Sequence, residues 1–230
     1  DKIVGPGSLY TVAAKQQVYG IVGIEMIPGP SEIVVLADAE ADPRYIAADL
    51  LSQAEHGTGF EASVCITPSA ELAQSVRQEV IRQAEALPET AVVETALRNF
   101  GAVVVVPDLE TGVELLNRMA PEHAELMVAE PWTWLEGIKN AGAVFMGPAS
   151  TEPVGDYFAG TNHILPTNGT ARYASSLGLG DFVKTTSIVA YSDRRLQRVG
   201  GQIATLARAE GLEAHARAVE IRTGDDRRES

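Results

Sequence analysis

The chain has 230 residues, 45% of them hydrophobic, with mean hydropathy near zero and a formal net charge of −13. That length allows one large domain or two small ones with a full core. The acidic balance excludes nucleic acid as a partner, because phosphate binding needs a basic surface. No apolar run reaches the roughly 18 residues that a membrane span requires. A single cysteine, Cys65, excludes an intrachain disulfide and suits a reducing compartment; within its apolar run it reads as a small buried hydrophobe.

The chain opens Asp1-Lys2-Ile3-Val4-Gly5 without a methionine, already as strand and turn, and reads as a chain entered partway. Residues 1–31 hold Gly5-Pro6-Gly7-Ser8, a helical stretch through Lys15-Gln16-Gln17 and a second turn at Pro28-Gly29-Pro30-Ser31. The first turn either lies against a cofactor phosphate or ring or simply punctuates the chain; it is not a complete dinucleotide fingerprint.

From Glu32 onward strands and helices alternate. Strands are expected at 33–37, 62–67, 102–106, 124–128 and 143–146, several as continuous apolar runs of the kind covered on both faces. Helices are expected at 43–56, 70–86, 89–99, 109–119 and 131–140, capped at Asp42, Ser69 and Asp108 and closed by Gly101 and Gly142. Leu72, Val76 and Val80 give one of them its buried stripe. This pattern implies an α/β, doubly wound, mostly parallel sheet of incomplete Rossmann type, with ligands beyond the carboxyl ends of its strands.

Three clusters of reactive side chains fall in the connections. Gln53 and His56 stack three residues apart near the end of the helix opened by Asp42-Pro43, before Gly57 and Gly59. They read either as half of a metal site or as a surface polar pair whose histidine suits a helix C-terminus. Glu122 and His123 are adjacent on one loop, as acid–base partners or as loop polarity. The glycine-punctuated segment from Gly155 through Asp156 to His163 has the length of a functional loop, within which His163 reads as a packing histidine. After Thr185 an apolar strand at 187–191 precedes a long helix from Asp193 that breaks near Gly211. Arg194, Arg195, Arg198, Arg208, Arg217 and the Arg227-Arg228 tail are interleaved with acids, as on a solvated helical face. A helical extension beyond a finished core suggests packing on a partner subunit.

Together these clusters resemble the C-terminal part of histidinol dehydrogenases, from Asp1-Lys2-Ile3-Val4-Gly5-Pro6-Gly7 to about Val219. The motifs are Gly29-Pro30-Ser31-Glu32, Leu50-Leu51-Ser52-Gln53-Ala54-Glu55-His56, Ala120-Pro121-Glu122-His123, and Gly155-Asp156-Tyr157 through Asn162-His163-Ile164-Leu165-Pro166-Thr167. About half of the family's length, its N-terminal part, is not represented. The resemblance implies a cytoplasmic homodimer with one zinc per subunit that uses NAD to oxidise L-histidinol to L-histidine through the aldehyde. It assigns zinc to Gln53, His56, Asp156 and His215, the last from the second subunit, and catalysis to Glu122 and His123. His123 would take the hydroxyl proton and Glu122 would activate water. Substrate contacts fall to Ser31 and Glu210 together with Gln53, His56, His123, Asp156 and His215, and a cofactor contact to Ser8. The implied division is 1–31 as a remnant of the NAD-binding half, 32–177 as the Rossmann-like domain and 178–230 as a dimer-exchanged arm. Two positions depart from the family: Ser8 stands for Asn, which bears on the cofactor contact, and Ala124 for Leu, which bears on pocket shape. A relative acting on another amino or sulfonated alcohol, or a silent zinc-binding piece, are the alternatives.

Overall fold

Five parallel strands carry the structure, a computed structural model that describes residues 1–88 and 90–224. In chain order the elements of the first part are β1 (Lys2–Ile3), α1 (Leu9–Val18), β2 (Gly23–Ile24), β3 (Glu32–Ala37), α2 (Pro43–Ala54), β4 (Ala62–Thr67), α3 (Ala70–Ala84), α4 (Thr90–Phe100) and β5 (Gly101–Val105). There follow α5 (Leu109–Met119), β6 (His123–Met127), α6 (Pro131–Leu135), β7 (Ala143–Met146) and α7 (Glu152–Tyr157). The large sheet runs β5-β4-β3-β6-β7, all parallel, so its winding reverses between β3 and β6. β1 and β2 form a separate two-stranded parallel sheet.

The sheet is covered on both faces, as its apolar strands require. On one face Ile33 and Val35 of β3 pack with Ile46 and Leu50 of α2 and Leu72 and Val76 of α3. On the other, Val34, Leu36, Ala124 and Leu126 pack with Val113 and Leu116 of α5. Side chains alternate along β6, so His123, Glu125 and Met127 point to the α2 side. Ala124 faces the opposite core, fully buried among Val34 and Leu116, so its departure from the family leaves the pocket shape alone.

The caps at Asp42, Ser69 and Asp108 form, each accepting a backbone amide of its helix. α2 ends at Ala54, ahead of the expected 56, and His56 lies just beyond it before Gly57, whose φ of 94° turns the chain. α6 stops at Leu135, not 140, so Gly142 closes no helix; a Cβ there would lie 2.6 Å from the Glu122 carbonyl oxygen. Position 89, the expected start of α4, lies outside the described residues, as does the Arg227-Arg228 tail.

Contacts divide the chain into two compact units, 1–183 and 184–230. In the second, α8 (Asp193–Ala209) and α9 (Glu213–Thr223) turn at Gly211, pack through buried Ala204, Ala207 and Ala216, and are bridged by Arg208 to Glu213 and Glu220. No strand forms at 187–191: Ile188 and Val189 are 90% and 84% exposed, and an apolar run without a sheet to join has no ladder to enter. No helix among the described residues is long and apolar enough to cross a membrane.

Candidate active site

The parallel register of β3 and β6 puts Ile33 opposite His123, so the residues entering both strands lie side by side at the amino edge of the sheet. α2 runs back against the strands and delivers Gln53 to the same edge. The expectation of a site beyond the carboxyl ends is therefore corrected. A cavity of about 420 Å³ opens at the amino edge, lined by Ser8, Ser31, His56, Glu122, His123 and Asp156, among others.

Geometry fixes the state of His123. Its Nδ1 lies 3.1 Å from the Glu32 carbonyl and 3.0 Å from Gln53 Oε1. A carbonyl only accepts, so Nδ1 carries the hydrogen and Nε2 keeps its lone pair. Burial pushes the imidazole down to about 4, against the pull of Asp156, and the ring is neutral near pH 7. His123 is the first residue of β6, so the pair does not share a loop as expected: a strand backbone holds the base, and Phe145 packs beside its ring at 5.8 Å.

Glu122 Oε2 accepts from Ser31 Oγ at 2.8 Å and from the Glu32 amide at 3.2 Å. Burial nevertheless pushes its carboxyl up to about 8, outweighing those two bonds. With the histidine low and the glutamate high, the 3.7 Å approach of His123 Nδ1 to Glu122 Oε2 is a contact of neutral groups near pH 7, not an ion pair. A carboxyl held near 8 is mostly protonated near pH 7 and ionises within about a unit above it, a range useful for acid–base work.

Gln53 is fully buried and touches both histidines, through Oε1 to His123 and with Nε2 3.5 Å from His56 Nδ1. Asp156 enters the cavity from α7. His123, Glu152 and Asp156 offer ligand atoms within 4.8 Å of one another. Of the four ligands the resemblance implies, only Asp156 belongs to this group, whose mixed imidazole nitrogen and carboxylate oxygen suit a zinc-like divalent ion. Glu152, raised to about 7 by burial and then by Asp156, is absent from the sequence-predicted set. Its signal was present: Glu152 and Asp156 are four apart, one face of one short helix.

Other predicted residues fall as follows. Ser8 sits at the start of α1 without a side-chain cap bond, next to Pro6 and Gly7 in the cavity wall. That turn is held by Lys15, whose ammonium lies 2.6 Å from buried Glu25 Oε1 while the Gly5 amide donates to the same oxygen at 2.8 Å. His163 is exposed and lines the cavity, so it is not a packing histidine. Glu61, fully buried, accepts the Thr58 and Gly59 amides at 2.7 and 2.8 Å and fixes the loop that follows His56. Glu210 ends α8 and His215 lies in the first turn of α9; both are exposed, in the second unit.

A doubly wound α/β domain with a histidine–carboxylate cleft at the amino edge of its sheet is thus the class defined by fold and site. The family model "Histidinol dehydrogenase" matches residues 1–223, and the chain belongs to that family. It is 55% identical over 227 residues to the histidinol dehydrogenase of Halalkalibacterium halodurans, covering 99% of this chain and 53% of that protein. With the Moorella thermoacetica histidinol dehydrogenase it shares 53% identity over 222 residues, 96% of this chain and 52% of that one. The crystal structure of histidinol dehydrogenase from Elizabethkingia anophelis superposes with a TM-score of 0.87 at 39% identity, over 98% of this chain and 52% of that chain. The chain spans about half the length of the relatives it matches.

Proposed function

We propose that this chain supplies the proton-handling and metal-holding part of an enzyme that oxidises L-histidinol to L-histidine with NAD, through the aldehyde. Family membership supports the reaction class. The observation that carries the chemistry is the pinned tautomer of His123, which leaves Nε2 as a free base on the cavity wall beside Glu122 and Asp156.

By family resemblance Gln53, His56 and Asp156 would hold zinc from this unit; Gln53 reaches both histidines, and Asp156 clusters with His123 and Glu152. His215 and Glu210 would be supplied by a second copy. Bound zinc would supply a Lewis-acid template, and NAD the acceptor for both hydrides. The chain's own residues do the rest. His123 Nε2 accepts the proton of the substrate hydroxyl. Glu122, once ionised, takes a proton from the water that adds to the aldehyde, and Ser31 holds that carboxyl in place. Ser8 with the Pro6-Gly7 turn is the part of this chain assigned toward NAD. A reducing cytoplasmic setting suits the buried Cys65 thiol, which burial pushes up to about 12.

The test is steady-state NADH formation from L-histidinol by the full-length, zinc-loaded protein. Two NADH per histidinol consumed is expected. A protein that turns over other amino or sulfonated alcohols and leaves histidinol untouched would refute the substrate. Chelation should abolish turnover and added zinc restore it.

A further inference from the structure

Two acids lie in the interior away from the cavity wall. Asp49 of α2 and Glu125 of β6 are 6% and 1% exposed, and their carboxyls meet across the α2–sheet interface. Among the described residues no ion pair joins either acid to a cation, and Glu125 Oε2 has no donor. Replacing such a buried polar pair with apolar side chains is commonly neutral or stabilising, so packing gives no reason for it.

Both acids make one further bond, to the same place. Glu125 Oε1 accepts the Glu152 amide at 2.9 Å, and Asp49 Oδ1 accepts the Thr151 hydroxyl at 2.5 Å. Thr151 and Glu152 open α7, a helix of six residues with a proline in its first turn and no side-chain cap of its own. A helix this short does not hold itself in water, and its first amides need outside acceptors. Four residues after Glu152 the same helix carries Asp156 to the cavity. The two acceptors come from the elements that carry Gln53 and His123. One buried pair therefore ties three site-bearing elements together.

We propose that Asp49 and Glu125 are positioning residues: by holding the Thr151 hydroxyl and the Glu152 amide they fix α7, and thereby fix where Glu152 and Asp156 present their oxygens to a divalent metal. The metal consequence rests on the function proposed above; the anchoring does not. Glutamine at 125 keeps the acceptor for the Glu152 amide and offers Asp49 a donor. Methionine keeps length and packing but removes both.

The experiment uses the full-length protein with Glu125→Gln, Glu125→Met and Thr151→Val. Three readouts are taken: amide exchange over 151–157 in metal-free protein, zinc affinity by chelator competition, and melting temperature. Glu125→Gln is expected to stay within about twofold of the parent in exchange and zinc affinity. Glu125→Met is expected to exchange at least about tenfold faster over 151–157 and to bind zinc roughly 10–100-fold more weakly, with melting unchanged or raised. Parent-like exchange and zinc affinity in Glu125→Met would overturn the proposal. If that variant does not fold, Thr151→Val, which removes only a hydroxyl, decides: faster exchange over 151–157 with weaker zinc binding supports it, and no change overturns it. A parent that binds no zinc would refute the metal reading, while exchange in the metal-free variants still decides the anchor.

Discussion

At the carboxyl edge of β3 and β6, where doubly wound sheets usually bind ligands, lies a crevice of about 300 Å³ lined by Asp38, Asp42, Tyr45 and Met127 among others. Its two aspartates are already employed. Asp38 accepts the Ala129 and Glu40 amides at 2.6 and 3.0 Å, and Asp42 accepts the Arg44 amide at 2.8 Å while pairing with that guanidinium. Arg44 holds the Asp42 carboxyl below its ordinary value. At the amino edge of the same two strands Glu122 and His123 are buried, and burial pushes the carboxyl up to about 8 and the imidazole down to about 4. Asp38 and Asp42 at one edge tie backbone amides; the other edge has one such tying acid, Glu61, and adds Glu122 and His123, titratable groups held out of water. Winding order alone does not locate the chemistry of this sheet. Buried, uncompensated acids and bases are the better pointer.

The sharpest way to break that contrast is His123→Ala at the amino edge. Loss of the ring whose Nε2 is left free by the Glu32 carbonyl should cut turnover by about 10²–10⁴-fold. Zinc content, measured on the same sample, should stay at that of the parent, which separates proton transfer from metal binding. His56→Ala should instead lose bound zinc, whereas a merely superficial histidine would leave metal content unchanged. Gly142→Ala comes next. Its Cβ would press on the Glu122 carbonyl oxygen at 2.6 Å, a backbone atom that no rotamer change moves aside. It should destabilise by about 1–3 kcal/mol and shift the pH profile of turnover, because the displaced residue carries the Glu122 carboxyl.

Much of this was legible in the chain. The sheet, the caps at Asp42, Ser69 and Asp108, and the gathering of Ser31, Gln53, His56, Glu122, His123 and Asp156 near one cavity follow from apolar runs and motifs. The edge was not, since strand pattern shows where a strand begins but not that Ile33 falls opposite His123, which brings the Ser31 hydroxyl to the Glu122 carboxyl. The Asp49–Glu125 pair was hidden for a related reason. Each acid looks like surface polarity until the 75 positions between them are folded away and both prove buried. The strand expected at 187–191 failed because apolar composition signals a need for cover without saying what supplies it.

The pH dependence of stability should follow the same division. Burial, and then Asp49, holds Glu125 up to about 9, with Glu152 facing it as well. An acid raised on folding contributes stability that is complete below its unfolded value near 4.5 and is lost as pH rises through its folded one. Glu122, at about 8, and Glu152, at about 7, have the same sign. His123 has the opposite sign, its contribution complete above 6.5 and lost as pH falls toward 4. Between pH 6.5 and 9 only the carboxyls change, so the urea midpoint of the metal-free protein should fall over that window. Glu125→Met should flatten part of the fall; an equal slope in both proteins would show that Glu125 does not contribute.

The smallest effect belongs to the carboxyl edge. Asp42→Ala removes an N-cap whose oxygen takes the Arg44 amide at 2.8 Å, and caps of this kind are worth about 1 kcal/mol. The paired Arg44 guanidinium adds little, being well exposed and screened. Denaturant unfolding should show that modest loss, while turnover and zinc content per folded molecule stay at parental levels. The informative outcome is a disproportion. α2 begins at this edge and ends beside His56 at the other, so a mere loosening of its first turn should not reach Gln53, eleven residues on and locked by Oε1 to His123. Were turnover to fall with so small a change in stability, the two edges would be coupled through α2, and the separation drawn between a tying edge and a reacting edge would not hold.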